Sequence, residues 1–230
     1  MICNRATAMD GAQLLQSGGE ISVNATMNGQ QVALTCDIGF MQTKTSSQPM
    51  QMFWGFNNNG DSVMNWLADS SGRLVNLDTV SNLAVYYGRP WVGYVFDSTP
   101  LLEYTNCDAF WTSDSPKTSV SVVVPDASFN PNNTDVYLIL PSINCAMSTI
   151  EPDLGGDSYK AATNTITLVS ETETNIVPVG MAYELVVIAN KNGQYYYYTQ
   201  TGTISHNGLV ATAILAPETQ SYVNTQLQAL

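Results

Sequence analysis

Apolar and polar residues alternate with period two through much of the chain. Val32, Leu34 and Cys36 share one side of a short run, with Ala33 and Thr35 on the other. Met50, Met52 and Trp54 repeat the pattern, as do Val136, Leu138 and Leu140. Successive side chains of an extended strand point to opposite faces, so each run reads as a strand with one buried face. Further strands are expected over residues 21–26, 91–96, 101–107, 119–124, 165–169, 183–189, 195–199 and 209–215. Asn28-Gly29, Asn59-Gly60-Asp61, Asn192-Gly193 and Asn207-Gly208 supply turns between them, because Asn and Gly tolerate the left-handed backbone of tight turns. Asn192-Gly193 gives the clearest hairpin. A helical pattern occurs only after Pro217, where Tyr222, Val223, Leu227 and Leu230 fall on one helical face. Proline in a first turn suits a helix start; an extended arm is the alternative. Either form is expected to dock on its own domain or on another chain, since its apolar residues need cover.

The two halves resemble each other. Gly60-Asp61-Ser62 returns as Gly156-Asp157-Ser158, and Ser81-Asn82-Leu83 before Gly88 is echoed by Thr174-Asn175-Ile176 before Gly180. Tyr104-Thr105 and Tyr198-Thr199 each close a later strand. These pairs are offset by roughly 94 residues, the mark of a duplicated unit. The expected fold is therefore all-β, two tandem antiparallel β-sandwich domains at residues 1–114 and 115–230, divided near the polar stretch 111–117.

Composition then narrows the function. Only 11% of the 230 residues are charged, against about 25% in ordinary globular proteins. Ser, Thr, Asn and Gln occupy the polar positions, a pattern that goes with surface and virion proteins. Net charge is −12, from 19 acidic and 7 basic residues. Such a surface repels phosphate backbones and anionic membranes, so neither nucleic acid nor a membrane surface is an expected partner. No run reaches the ~18 apolar residues of a spanning helix. Met1-Ile2-Cys3-Asn4-Arg5 lacks the apolar core of a secretory leader, which leaves leader removal or virion release as expected routes out of the cell.

Four cysteines, Cys3, Cys36, Cys107 and Cys145, are widely spaced without a CxxC pair. That spacing argues against zinc, and sequence alone leaves all three pairings open. The run Gln31-Val32-Ala33-Leu34-Thr35-Cys36, followed by Trp54 and then Cys107, resembles an immunoglobulin-like domain over about the first 110 residues. It departs from that family in the long Cys36-to-Trp54 interval and in Tyr104, three residues before Cys107 rather than two. The resemblance implies a Cys36–Cys107 disulfide across the first sandwich. The second half, with Cys145 just past its second strand, is similar to an immunoglobulin or transthyretin sandwich in general form.

Catalytic chemistry is sparse. The single histidine, His206, adjoins a turn and reads as solvated; as a general base it would need a nucleophile beside it. Both Gly-Asp-Ser triplets resemble the nucleophile block of esterases, yet no matching acid-supported histidine follows, and turn chemistry accounts for them. Neither G-x-S-x-G, H-E-x-x-H, a P-loop nor a dinucleotide fingerprint occurs. A pair of catalytic carboxylates would leave no such local signature. Glu151, Asp153 and Asp157 flank Gly155-Gly156 and could ligate calcium, although an exposed acidic loop is the simpler reading. Asn24-Ala25-Thr26 and Asn132-Asn133-Thr134 have the form of glycosylation acceptors. No metal or cofactor is expected.

Tyr195, Tyr196, Tyr197 and Tyr198 form an unbroken aromatic run on an expected strand. Alternation sends two rings into the core and two outward, where tyrosines act as stacking platforms or interface anchors; a cross-strand aromatic ladder is the structural alternative. With Tyr222 and Leu227, these are the expected interface residues. The expected function is a non-enzymatic structural surface subunit, extracellular or on a virion, associating with its own copies or with other structural subunits. The second expectation is a binding module: a carbohydrate-binding adhesin recognising a surface glycan, or an immunoglobulin-like receptor domain. A hydrolase using two carboxylates is the third.

Overall fold

The computed structural model describes residues 14–23, 25–32, 38–43, 50–56, 65–68, 74–80, 91–99, 103–111, 113–148, 159–168 and 174–229. The chain is all-β. It divides into two compact units, one gathering residues Leu15–Asn58 and Met64–Phe110, the other including Trp111–Leu230.

The first unit is built from β1 (Leu14–Val23), β2 (Thr26–Met27), β3 (Gln30–Gln31), β4 (Ile38–Thr43), β5 (Met50–Phe56), β6 (Asn65–Ala68), β7 (Leu74–Val80), β8 (Trp91–Thr99) and β9 (Glu103–Trp111). β2 and β3 form a hairpin closed by Asn28 and Gly29, both at positive φ. The other seven form one sheet, six in the order β1-β9-β5-β7-β8-β4 and β6 paired on β5. β7 changes partner along its length: Leu74 and Val75 pair with β5, and Asn76 to Val80 with β8. Met50 and Met52, on one face of β5, are buried, and so is Phe53 on the other. β5 is therefore covered on both faces at that level.

The second unit contains β10 (Lys117–Thr118), β11 (Val120–Val123), β12 (Thr134–Leu140), a 3-10 turn (Pro141–Ile143), β13 (Cys145–Ser148), β14 (Tyr159–Lys160), β15 (Thr165–Thr167), β16 (Val177–Pro178), β17 (Ala182–Lys191), β18 (Gln194–Thr203), β19 (Leu209–Thr212), β20 (Ala216–Glu218) and a helix, α1 (Gln220–Ala229). A four-stranded sheet runs β14-β15-β11-β19 and a five-stranded sheet β13-β12-β17-β18-β20. Alternate residues of both enter one buried cluster: Val120, Val122, Ile166 and Ala211 from the first, and Val136, Leu138, Leu140, Leu185 and Val187 from the second.

One ladder departs from the antiparallel expectation. β11 and β19 run parallel, with Ser121 opposite Val210 and Val123 opposite Thr212. Both strands keep their inward residues, Val122 and Ala211, in the common core, so burial is served equally well by either direction.

Asn164 fastens the loops at one end of this unit. It is buried and left-handed, with φ 45. Its side-chain amide donates to the carbonyls of Val124 and Phe129, each at 2.7 Å, and to that of Asp126 at 3.2 Å. Its Oδ1 accepts from the Tyr159 hydroxyl at 2.8 Å. One side chain thus supplies donors to the carbonyls of buried Val124 and Phe129 and a second donor to that of Asp126, which also accepts from the Phe129 N–H.

Candidate functional site: an aromatic face and an open edge

β17 and β18 form a long hairpin closed by Asn192 (φ 54) and Gly193 (φ 81). The tyrosine run lies on its second strand and obeys the pleat. Tyr196 and Tyr198 pack against the common core. Tyr196 meets Phe129 edge to face at 4.7 Å, and Lys191 Nζ lies 5.5 Å from that Phe129 ring while donating to Ser128 Oγ. Tyr198 donates its hydroxyl proton to Gln200 Oε1, and Gln200 Nε2 donates to the Tyr183 hydroxyl, both at 2.7 Å. Burial raises the Tyr198 phenol above its ordinary value, with Tyr183 adding to the effect.

Tyr195 and Tyr197 point the other way, onto the outer face of the five-stranded sheet. That face is covered. Ile139, Val186, Tyr197 and Val223 of α1 form a second buried cluster, flanked by Tyr137, Ala146, Ile188, Tyr195 and Leu227. Thr219 caps the helix, its Oγ1 accepting from the Tyr222 N–H. Tyr222 stands edge to face with Tyr197 and stays 40% exposed. The expected outward pair is thus divided: Tyr197 lies beneath α1, and Tyr195 is half-buried at its border.

Burial pushes the Tyr137 hydroxyl up to about 12, and the nearby charge of Asp135 adds to this. Burial likewise raises Tyr197, against a hydrogen bond with the Thr199 side chain and with help from Glu184 and Tyr222. Both phenols stay protonated at neutral pH, which suits packing and hydrogen bonding rather than proton transfer.

A groove of about 460 Å³ lies beside Tyr195, lined by Gly193, Gln194, Pro217, Glu218, Thr219 and Gln220. Gln194 spans it, donating through Nε2 to the carbonyls of Glu218 and Tyr195 at 2.8 Å.

The opposite sheet has a different character. β19 is its last strand, and among the described residues no strand pairs on its other side. The Leu209 and Ala213 amides donate to the carbonyls of Ser119 and Val123 on the β11 side. By alternation the backbone groups of Val210 and Thr212 point away from β11, and so do those of Ile214, two residues past the end of β19, where the Ala213 bond continues the ladder. Their side chains are exposed, Val210 by 70% and Ile214 by 75%. Ser121 and Thr167 share a hydroxyl hydrogen bond of 2.9 Å on the same outer face.

Cys36 lies outside the described residues, as do Glu151, Asp153, Asp157 and both Gly-Asp-Ser triplets. Cys107 sits in β9 opposite Met52, and Cys145 is buried in β13. His206 occupies an exposed turn, beside a Ser205 hydroxyl that donates to the Gly208 carbonyl. Among the described residues no group of three or more His, Cys, Asp or Glu is placed to hold a metal ion. No helix among them is long and apolar enough to cross a membrane.

Sequence reasoning passed over Tyr137 and the β19 edge as interface candidates. The signal for the edge was present: between Lys191 and Glu218 the sequence has no Asp, Glu, Lys or Arg.

Fold and surface define an all-β protein with two β units, one carrying a helix-covered aromatic face and an uncharged open strand. Compared with protein-family models, with curated proteins and with solved structures, the chain matches none.

Proposed function

We propose that this protein is a non-enzymatic structural subunit, built as two tandem β-sandwiches and working outside the cytoplasm, on a virion or in an extracellular assembly. The observation that carries it is the outer edge of β19, which no strand pairs among the described residues, with apolar Val210 on it and Ile214 two residues past its end both exposed. Exposed strand edges are ordinarily blunted by charge, proline or a bulge, because they template pairing with another chain. Residues 209 to 215 hold neither charge nor proline. An edge of this kind suits a protein whose working state is an assembly. Low charge and the scarcity of catalytic motifs support the same reading.

Electron microscopy of assemblies purified from the native source, with mass spectrometry for this chain, tests it. A repeating lattice containing the chain in stoichiometric amount is the expected result. Recovery of the chain only as a monomeric particle, or turnover in a glycosidase and esterase screen, overturns it.

A second reading, a carbohydrate-binding module, draws on the groove at Tyr195, where a half-buried ring, an amide and Glu218 lie together. Glycan-array binding abolished by Tyr195→Ala supports it; an array without signal removes it.

A further inference from the structure

The β19 edge is specific enough to name its occupant. We infer that it pairs antiparallel with β19 of a second copy of this chain, about a two-fold axis at Thr212, joining two four-stranded sheets edge to edge. The inference rests on the structural-subunit reading and adds the partner and the register.

Three observations converge on it. Val210, Thr212 and Ile214 are alternate residues whose amides and carbonyls point away from β11, as the Leu209 and Ala213 bonds to β11 require. An antiparallel partner exchanges two hydrogen bonds at every second residue, and these three residues have that phase. With the axis at Thr212, Val210 faces Ile214 of the second copy, Ile214 faces its Val210, and Thr212 faces itself. Two exposed apolar residues thereby cover one another, and the central pair matches hydroxyl with hydroxyl, both favourable cross-strand combinations. A surface patch that complements itself in this way is what a two-fold interface demands.

Charge is compatible with the same edge. Two copies at net −12 each repel over most of their surfaces. Residues 192 to 217 contain no Asp, Glu, Lys or Arg, so pairing here places no carboxylate of either β19 against its counterpart.

The test uses the full chain and two doubly substituted variants, Val210→Lys with Ile214→Lys and Val210→Glu with Ile214→Glu. Light scattering across a dilution series should give the native chain twice the single-chain mass. Each variant alone should run at the single-chain mass, since like charges face each other twice. Mixing the two should restore the doubled mass, an outcome that a merely unfolded variant cannot produce. Thr212→Cys should cross-link to itself under mild oxidation, because Cα atoms of such a pair lie about 5.5 Å apart. Val210→Cys alone should cross-link no more than the native chain. A native chain at single-chain mass throughout overturns the inference, as does a dimer that survives both charged variants. The latter leaves subunit association by another surface standing, whereas absence of the chain from native assemblies defeats the function itself.

Discussion

Tyr197 and Tyr222 meet edge to face, ring centroids 5.8 Å apart at 85°. The contact joins β18 to α1 and seats the helix over the outer face of the five-stranded sheet. Edge-to-face aromatic pairs contribute about 1 kcal/mol beyond their buried area. Tyr222→Ala should therefore lower unfolding stability by about that much plus the packing of a half-exposed ring. Val223→Ala, at a fully covered position, should cost about 2 kcal/mol. Urea denaturation measures both, and amide exchange should show α1 opening before the sheet in each variant.

Alkaline stability depends on the buried phenols. Tyr137 titrates near 12 in the folded protein, against about 10 unfolded. Between those values the folded chain holds the proton more tightly, so stability falls as pH rises from about 10 to about 12 and levels above. Tyr197 and Tyr198 are shifted in the same direction. Tyr137→Phe should remove part of the decline, on the order of 2 kcal/mol. Denaturant midpoints at the two ends of the window, with phenolate absorbance, measure it; an unchanged slope in the variant would refute the assignment.

Asn164→Ala should be among the costlier single changes in the second unit. It removes donors from the Val124 and Phe129 carbonyls and an acceptor from Tyr159, while the Asp126 carbonyl keeps the Phe129 N–H. Leaving buried groups unmet costs about 1–3 kcal/mol each, with partial relief as water enters. Asn164→Gly should be equally damaging, although glycine accepts φ 45, which separates the lost bonds from backbone strain. Thermal unfolding of both variants checks the comparison.

Gly202→Ala tests a close approach. A methyl group there would meet the Tyr183 ring and hydroxyl at 3.0–3.1 Å. Tyr183 lies directly opposite in the ladder and accepts from Gln200. Moving the ring should cost about 1–3 kcal/mol, as overpacking does, and should alter the near-ultraviolet tyrosine signal. Ala at neighbouring, exposed Thr203 should change neither.

Local chemistry was legible in the chain and long-range pairing was not. Asn192-Gly193 announces its hairpin because a two-residue turn with two positive φ angles strongly favours those residues. Tyr195 to Tyr198 announce their alternation, since the pleat has no other option. What the pleat leaves open is which face will be covered, and here a helix more than twenty residues downstream in sequence decides it. The helix was readable from Pro217, Val223 and Leu227; its landing place over Tyr197 was not. β20 contains Pro217 and pairs through three residues, too short and too proline-marked to read as strand. The parallel direction of β11 against β19 is equally silent, because Val120 and Val122 alternate alike whichever way a neighbour runs. The β19 edge was visible as a stretch without charge, but only the sheet order shows it to be outermost.

The parallel β11–β19 ladder also sets an order of events. β17 and β18 are adjacent in sequence and closed by two residues, so they can zip from their turn early. β19 reaches β11 only by closing a loop of roughly 90 residues, and such non-local contacts form slowly. The strand that ends up on the rim is therefore a late arrival at its place. Until it docks, its outer groups have no fixed direction and no flat neighbour to extend. The edge-to-edge pairing inferred above would then wait until the fold behind the rim is finished, a timing that would guard newly made chains against premature tangling.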